Sequence, residues 1–96
     1  MTVLAEPTWY PVSSFAALLP ERGVPVLLPS GGEVAVFRTY RGAVYALTDH
    51  TLYRGVVGQV DNRPVVYSPV TGEAIDLAEG SLEVRVTDGM VEILTG

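Results

Sequence analysis

Residues 51–77 read TLYRGVVGQVDNRPVVYSPVTGEAIDL. Inside this stretch RPVVYS (63–68) and EAIDL (73–77) are short runs separated by Pro69, Val70, Thr71 and Gly72. Proline and glycine bounding so short a gap mark a turn, so the two runs are expected to be strands joined at that turn. TLYRG (51–55) precedes them as a second loop that also ends on glycine.

The same punctuation continues outward. EVAVFRTY (33–40) and AVYALTD (43–49) flank Arg41-Gly42 and read as a hairpin. Toward the end, LEVRVT (82–87) alternates Leu82, Val84 and Val86 with Glu83, Arg85 and Thr87, the period of a half-buried strand. Asp88-Gly89 then supplies a favoured two-residue turn into MVEILT (90–95). GVPVLLP (23–29) is a further strand, with Pro25 suited to a sheet edge because it cannot donate to a ladder. The segment SSFAALLPERG (13–23) is the one that reads as helical: Ser13 or Ser14 caps a first turn, Phe15, Leu18 and Leu19 give an apolar face, and Pro20 and Gly23 end it. Seven or eight short strands and one short helix fit a closed or nearly closed antiparallel barrel or sandwich.

Ninety-six residues suffice for one small domain, taken here as 1–96, and an apolar share of 48% is enough for a core. The chain has no cysteine, which removes thiolate zinc sites, disulfides and cysteine-ligated clusters together. Eleven carboxylates face six arginines and no lysine, a net charge of −5, so a phosphate backbone or an anionic membrane is repelled and neither nucleic acid nor membrane is an expected partner. The start, MTVLAEPTWYP, has no basic region and no long apolar run. No leader and no membrane span are expected, and the location expected is cytoplasmic.

From Glu33 onward the chain resembles the Rieske iron–sulfur domain. Such domains have a strand ending near VYAL, a loop C-P-H-R-G, a second loop C-P-x-H-G, then F-D-L and a closing V-x-D-G-x-V hairpin. Here the corresponding stretches are VYALTDH, TLYRG, SPVTG, AIDL and VTDGMV. The resemblance places the two cysteine positions on Thr51 and Ser68 and the two histidine positions on Tyr53 and Thr71, while Arg54, Gly55, Pro69 and Gly72 keep the loop-shaping residues. Hydroxyl groups are poor and reluctant ligands for a [2Fe–2S] centre, so no cluster is expected in this chain. Tyr53, Ser68 and Thr71 are expected to link the two loops instead, by filling space and by hydrogen bonds across the gap.

The N-terminal half, with Trp9, a short helix, LLPERGVPVLLPSGGEVAVFR and VYAL, is similar to the small subunit of assimilatory NAD(P)H-dependent nitrite reductases. That resemblance implies a non-catalytic accessory role in reducing nitrite to ammonium. Flavin, siroheme and iron–sulfur centres would then reside in the large subunit, the implied partner, and none in this chain. No G-x-G-x-x-G links a strand to a helix here, so no dinucleotide site is read. Leu52, Tyr53 and Arg54 are the candidate partner-binding residues, because an exposed Leu-Tyr pair on a loop calls for a cover; the alternative is that Leu52 and Tyr53 fold inward to fill the space of the absent cluster and Arg54 pairs with Asp49.

Two other readings stand beside this one. The first is a cluster-less Rieske-like interaction module serving another oxidoreductase. The second is a stand-alone small-molecule enzyme, for which Asp49, His50 and Ser68 supply the acid, base and nucleophile of a triad by type. Adjacent residues of a strand point to opposite faces, which works against Asp49 and His50 acting together. The same argument separates Glu73 from Asp76, which read as solvated carboxylates, and His50 alone is a poor metal site.

Overall fold

The computed structural model describes residues 8–29 and 31–95, so the leader expectation, read from MTVLAEPTWYP, falls mostly outside the described residues. Among the described residues nine strands are arranged in three antiparallel sheets of three. β1 (Thr8–Ser14), β9 (Met90–Thr95) and β8 (Val84–Thr87) form one sheet with β9 central. β2 (Gly23–Leu27), β3 (Glu33–Arg38) and β4 (Val44–Leu47) form the second with β3 central. The third holds β5 (Val56–Val60), β6 (Arg63–Tyr67) and β7 (Ala74–Asp76), with β6 central. The expected all-β antiparallel architecture is therefore present, and Pro25 lies on the edge strand β2.

β3 organises the core. Val34 and Val36 point to one side, where they pack with Leu18, Ala46, Val91 and Ile93. Ala35 and Phe37 point to the other, where they meet Leu47, Leu52, Val57, Val66 and Leu77. A strand buried on both faces needs an unbroken apolar run rather than an alternating one, and VAVF provides it. Each sheet thus reaches the others through the central strand of the second.

The hairpin turns follow the backbone chemistry of their residues. Asp88 and Gly89 have φ of 50° and 76°, the left-handed pair of a type I′ turn. Asp61 and Asn62, φ 51° and 66°, make a second such turn between β5 and β6. Asp and Asn tolerate this region better than most residues, and VVGQV ahead of them is a strand that the sequence reading passed over.

The expected helix at residues 13–23 is the main correction. Residues 8–14 are β1, and only Phe15–Ala17 turn helically, as a 3-10 turn with Ser14 as its cap. Leu18 is pulled into the core at 1% exposure, with an extended backbone. The carbonyls of Phe15 and Leu18 accept from Arg38 Nη1 at 3.3 and 2.9 Å, so a side chain of β3 takes the place of a further helical turn. The guanidinium also stacks on the Phe15 ring at 4.1 Å. A four-residue α-helix, α1 (Leu77–Gly80), forms instead after β7, capped by Asp76, whose carboxylate accepts from the Glu79 amide at 3.0 Å.

The outer face of the first sheet carries a small electrostatic cluster. Arg85 Nε donates to Glu92 Oε1 at 2.8 Å across β8 and β9, and its guanidinium lies 4.2 Å from the Trp9 ring. The hydrogen bond from Arg85 holds the Glu92 carboxyl below its usual range. A carboxyl depressed in the fold adds stability above its unfolded pKa and loses it as the pH falls through its folded one. In Arg85→Gln an NMR titration is expected to show the Glu92 pKa moving upward toward the ordinary value; an unmoved pKa would mean that Arg85 is not its cause.

Phe37→Ala is expected to cost about 3–5 kcal/mol in urea unfolding, as for truncation of a fully buried ring. A loss under about 1 kcal/mol would contradict the central place given to β3.

Candidate functional site

The first loop begins with Asp49, which caps a 3-10 turn over His50–Arg54. Its Oδ1 accepts from the Thr51 amide at 3.1 Å and from the Thr51 hydroxyl at 2.5 Å. Leu52 then points inward and is buried at 4% exposure among Ala35, Phe37, Val57 and Val66. Tyr53 is half-buried against the same cluster, and its hydroxyl accepts from Arg54 Nε at 2.7 Å. Of the three candidate partner-binding residues, Leu52 therefore forms part of the core, and Tyr53 and Arg54 are left at the surface.

Two glycines let the loop sit this close. A methyl group on Gly23 would come within 2.6 Å of both the Phe37 ring and the Tyr53 carbonyl oxygen. One on Gly55 would lie 2.5 Å from the Tyr67 carbonyl oxygen and 2.6 Å from a Val66 methyl. Backbone meets backbone at both points, where no side chain can give way.

The second loop closes on itself. Ser68 Oγ accepts from the amides of Val70 and Thr71, both at 3.2 Å, and Thr71 Oγ1 accepts from the Glu73 amide at 3.2 Å. The expected hydrogen bonds from Ser68 and Thr71 across the gap are not formed, because short side-chain oxygens satisfy the nearest turn amides first. The loops are held by Leu52, by the packing of Val57 against Val66, and by the glycine contacts.

The triad by type does not assemble. Asp49 is engaged with Thr51, Ser68 with its own turn, and His50 Nε2 lies 3.2 Å from Glu33 Oε2. Asp76 caps α1 and stands 3.5 Å from Arg63, while Glu73 is exposed. Among the described residues no three His, Cys, Asp or Glu side chains are grouped to hold a metal ion. At the positions where a Rieske domain binds its cluster, Thr51, Ser68 and Thr71 offer hydroxyls already used in local turns, and Tyr53 offers a phenol held by Arg54. This donor set does not fit an iron–sulfur cluster.

One hollow adjoins the first loop, and a larger one shares Glu21 with it. A shallow groove of about 290 Å³ is bordered by Arg22, Gly23, Tyr53, Arg54 and Gly55. A cleft of about 720 Å³ lies between the β3–β4 turn and the β5–β6 hairpin, with Tyr40, Tyr45, Val57 and Pro64 among its walls. Tyr40, at 79%, is the most exposed aromatic among the described residues. Sequence reasoning did not single out Tyr40 as a site residue, and it gave Gly23 only the part of a turn and Arg22 none. The cue available was Gly23 closing the Pro-Glu-Arg-Gly turn, and its meaning depends on what packs there.

The paired loops, the three small sheets and the closing hairpin are those of a Rieske-like domain. Residues 8–94 match the Rieske-like [2Fe-2S] domain family, and the chain belongs to that family. Among solved structures it is similar to one described as the small subunit of an NADH-dependent nitrite reductase from Mycobacterium tuberculosis, at 29% identity and a TM-score of 0.84, covering 96% of this chain and 98% of that one. It is also similar to the Escherichia coli protein NirD, at 27% identity and a TM-score of 0.82, covering 95% and 99%. The small subunit of a nitrite reductase [NAD(P)H] from Erwinia carotovora gives 26% identity and a TM-score of 0.79, covering 92% and 82%. No curated protein sequence matches the chain at a significant level. No described helix is long and apolar enough to cross a membrane.

If the loop is seated by the close approach at Gly23, Gly23→Ala is expected to destabilise the protein by roughly 1–3 kcal/mol. Hydrogen exchange should also quicken at the Leu52 and Gly55 amides, which close the 3-10 turn. Wild-type protection at those two amides in the variant would refute this seating.

Proposed function

We propose that this chain is the non-catalytic small subunit of an NAD(P)H-dependent nitrite reductase, acting in the cytoplasm in the reduction of nitrite to ammonium for nitrate assimilation. The observation that carries the reading is the likeness to nitrite reductase small subunits over nearly the full chain, combined with a cluster frame whose donor atoms are occupied by turn hydrogen bonds. The redox work falls to a large subunit that holds the flavin, siroheme and iron–sulfur centres. The small subunit contributes a rigid surface at its first loop, where Tyr53 and Arg54 reach solvent and are supported by the buried Leu52 beneath them. Binding residues on a loop whose base is packed lose little entropy on association.

The test is co-purification of this chain with the large subunit from the same source, followed by nitrite-dependent NAD(P)H oxidation with and without it. A stable complex is expected. Tyr53→Ala together with Arg54→Ala is expected to weaken it by about tenfold or more, the scale of interface hot-spot losses. Absence of any complex, with no effect of the chain on the rate, would remove the assigned partner and favour a module serving another oxidoreductase.

A further inference from the structure

All six basic side chains other than His50 are arginines. Three are used within the fold: Arg38 on the Phe15 and Leu18 carbonyls, Arg63 beside Asp76 at 3.5 Å, and Arg85 with Glu92 at 2.8 Å. The other three, Arg22, Arg41 and Arg54, are exposed and form no ion pair among the described residues, Arg54 donating only to the hydroxyl of its neighbour Tyr53. They are not scattered. Arg22 and Arg54 border the groove beside the first loop, Arg41 borders the larger cleft, and Glu21 borders both. Glu21 is also the one carboxylate of either lining, so a chain of net charge −5 carries a surface on which guanidinium groups outnumber carboxylates three to one.

The backbone at the junction is held in an uncommon state. Glu21 has φ of 64°, in the left-handed region that a glutamate seldom adopts. Its amide donates to the Arg38 carbonyl at 2.7 Å and its Oε1 accepts from the Tyr40 amide at 3.4 Å. This turn sets Arg22 beside the Tyr53 loop and joins the two hollows. Tyr45, Val57 and Pro64 give the cleft an apolar wall, and Tyr40 stands at its rim. A hollow of about 720 Å³ has ample room for one large side chain.

We propose that this surface receives an acidic segment of the partner subunit, with one large apolar side chain entering the cleft beside Tyr40 and flanking carboxylates pairing with Arg22, Arg41 and Arg54. Arginine binds carboxylates through two parallel hydrogen bonds, and with tyrosine it is among the residues that dominate interface energies. The identity of the partner rests on the function proposed above; the chemistry of the segment rests on this surface.

The experiment compares binding of the large subunit to the wild type, to the triple variant Arg22→Gln, Arg41→Gln, Arg54→Gln, and to Tyr40→Ala, each at about 50 and about 300 mM NaCl, across which charge screening changes strongly. All four side chains are exposed, so thermal unfolding should be unchanged and serves as the folding control. The triple variant is expected to bind at least tenfold more weakly at low salt and to lose most of its salt dependence, and Tyr40→Ala to bind more weakly at both salts. Wild-type affinity and salt dependence in the triple variant would overturn the docking mode while leaving the partner in place. If the wild type does not bind, the partner assignment fails, and NMR titration of the free chain with a glutamate-rich peptide bearing one tryptophan decides the surface itself. Shifts centred on the three arginines and Tyr40, absent with the glutamine analogue, support it; no shifts there overturn it.

Discussion

The structure depends on one strand having no solvent face. β3 sends Val34 and Val36 into one cluster and Ala35 and Phe37 into the other, and all four are at or below 2% exposure. A chain this short has too little volume for a deep single core, so it gains burial by using both sides of its central strand. The hydrogen-bonded edges of that strand are satisfied by β2 and β4, and its two faces by the elements from the other sheets. A slip of one residue in the β3 register would exchange the contents of the two clusters, and Phe37 cannot fit where valines pack. Register and packing therefore fix each other.

The first loop is an extension of that core. Leu52 enters the cluster on the Phe37 side and brings the 3-10 turn with it, and burial of such a side chain is worth about 1.5–3 kcal/mol. Apolar packing has no directional demand, so it holds the loop base without prescribing what the tip carries. The polar groups of both loops are consumed locally: Asp49 with Thr51, Ser68 with its own turn, Thr71 with Glu73. An arrangement in which each loop closes on itself and apolar contact joins them leaves the outward atoms free of structural duty.

The parts of this fold that were legible in the sequence are those set by nearest neighbours. Asp88-Gly89, Arg41-Gly42 and Pro69 to Gly72 marked turns because their backbone chemistry is local, and the strands beside them followed. The helix over 13–23 failed for a long-range reason: Leu18 is worth more in the core than in a further helical turn, and Arg38, twenty residues on, supplies the donor that the freed carbonyl needs. Leu52 failed as a surface candidate in the same way, since a leucine between polar neighbours reads alike whether its turn faces in or out. β5 was hidden by Gly58, which weakens a strand signal, yet its place is explained by the Tyr67 ring, which lies 3.0 Å from where a side chain would begin. Of the site, the frame of the two loops was legible. The gathering of Arg22, Arg41 and Arg54 was not, because their positions in the chain say nothing of the shared border at Glu21.

That gathering bears on how an acidic chain can meet an acidic segment at all. The net charge of −5 acts at a distance, where the protein is seen as a whole. Near contact, at physiological ionic strength, screening acts over about 8 Å, which is well below even the shortest extent of the molecule, 22 Å. A partner docked at the groove as proposed would therefore interact with Arg22, Arg41, Arg54 and Glu21 and be largely insulated from carboxylates on the far sheets. Guanidinium groups suit this position better than ammonium groups, because they are less strongly hydrated and lose less on being covered. The sign of the whole chain and the sign of one face are separate quantities, and association is governed by the second once the partners are within a screening length.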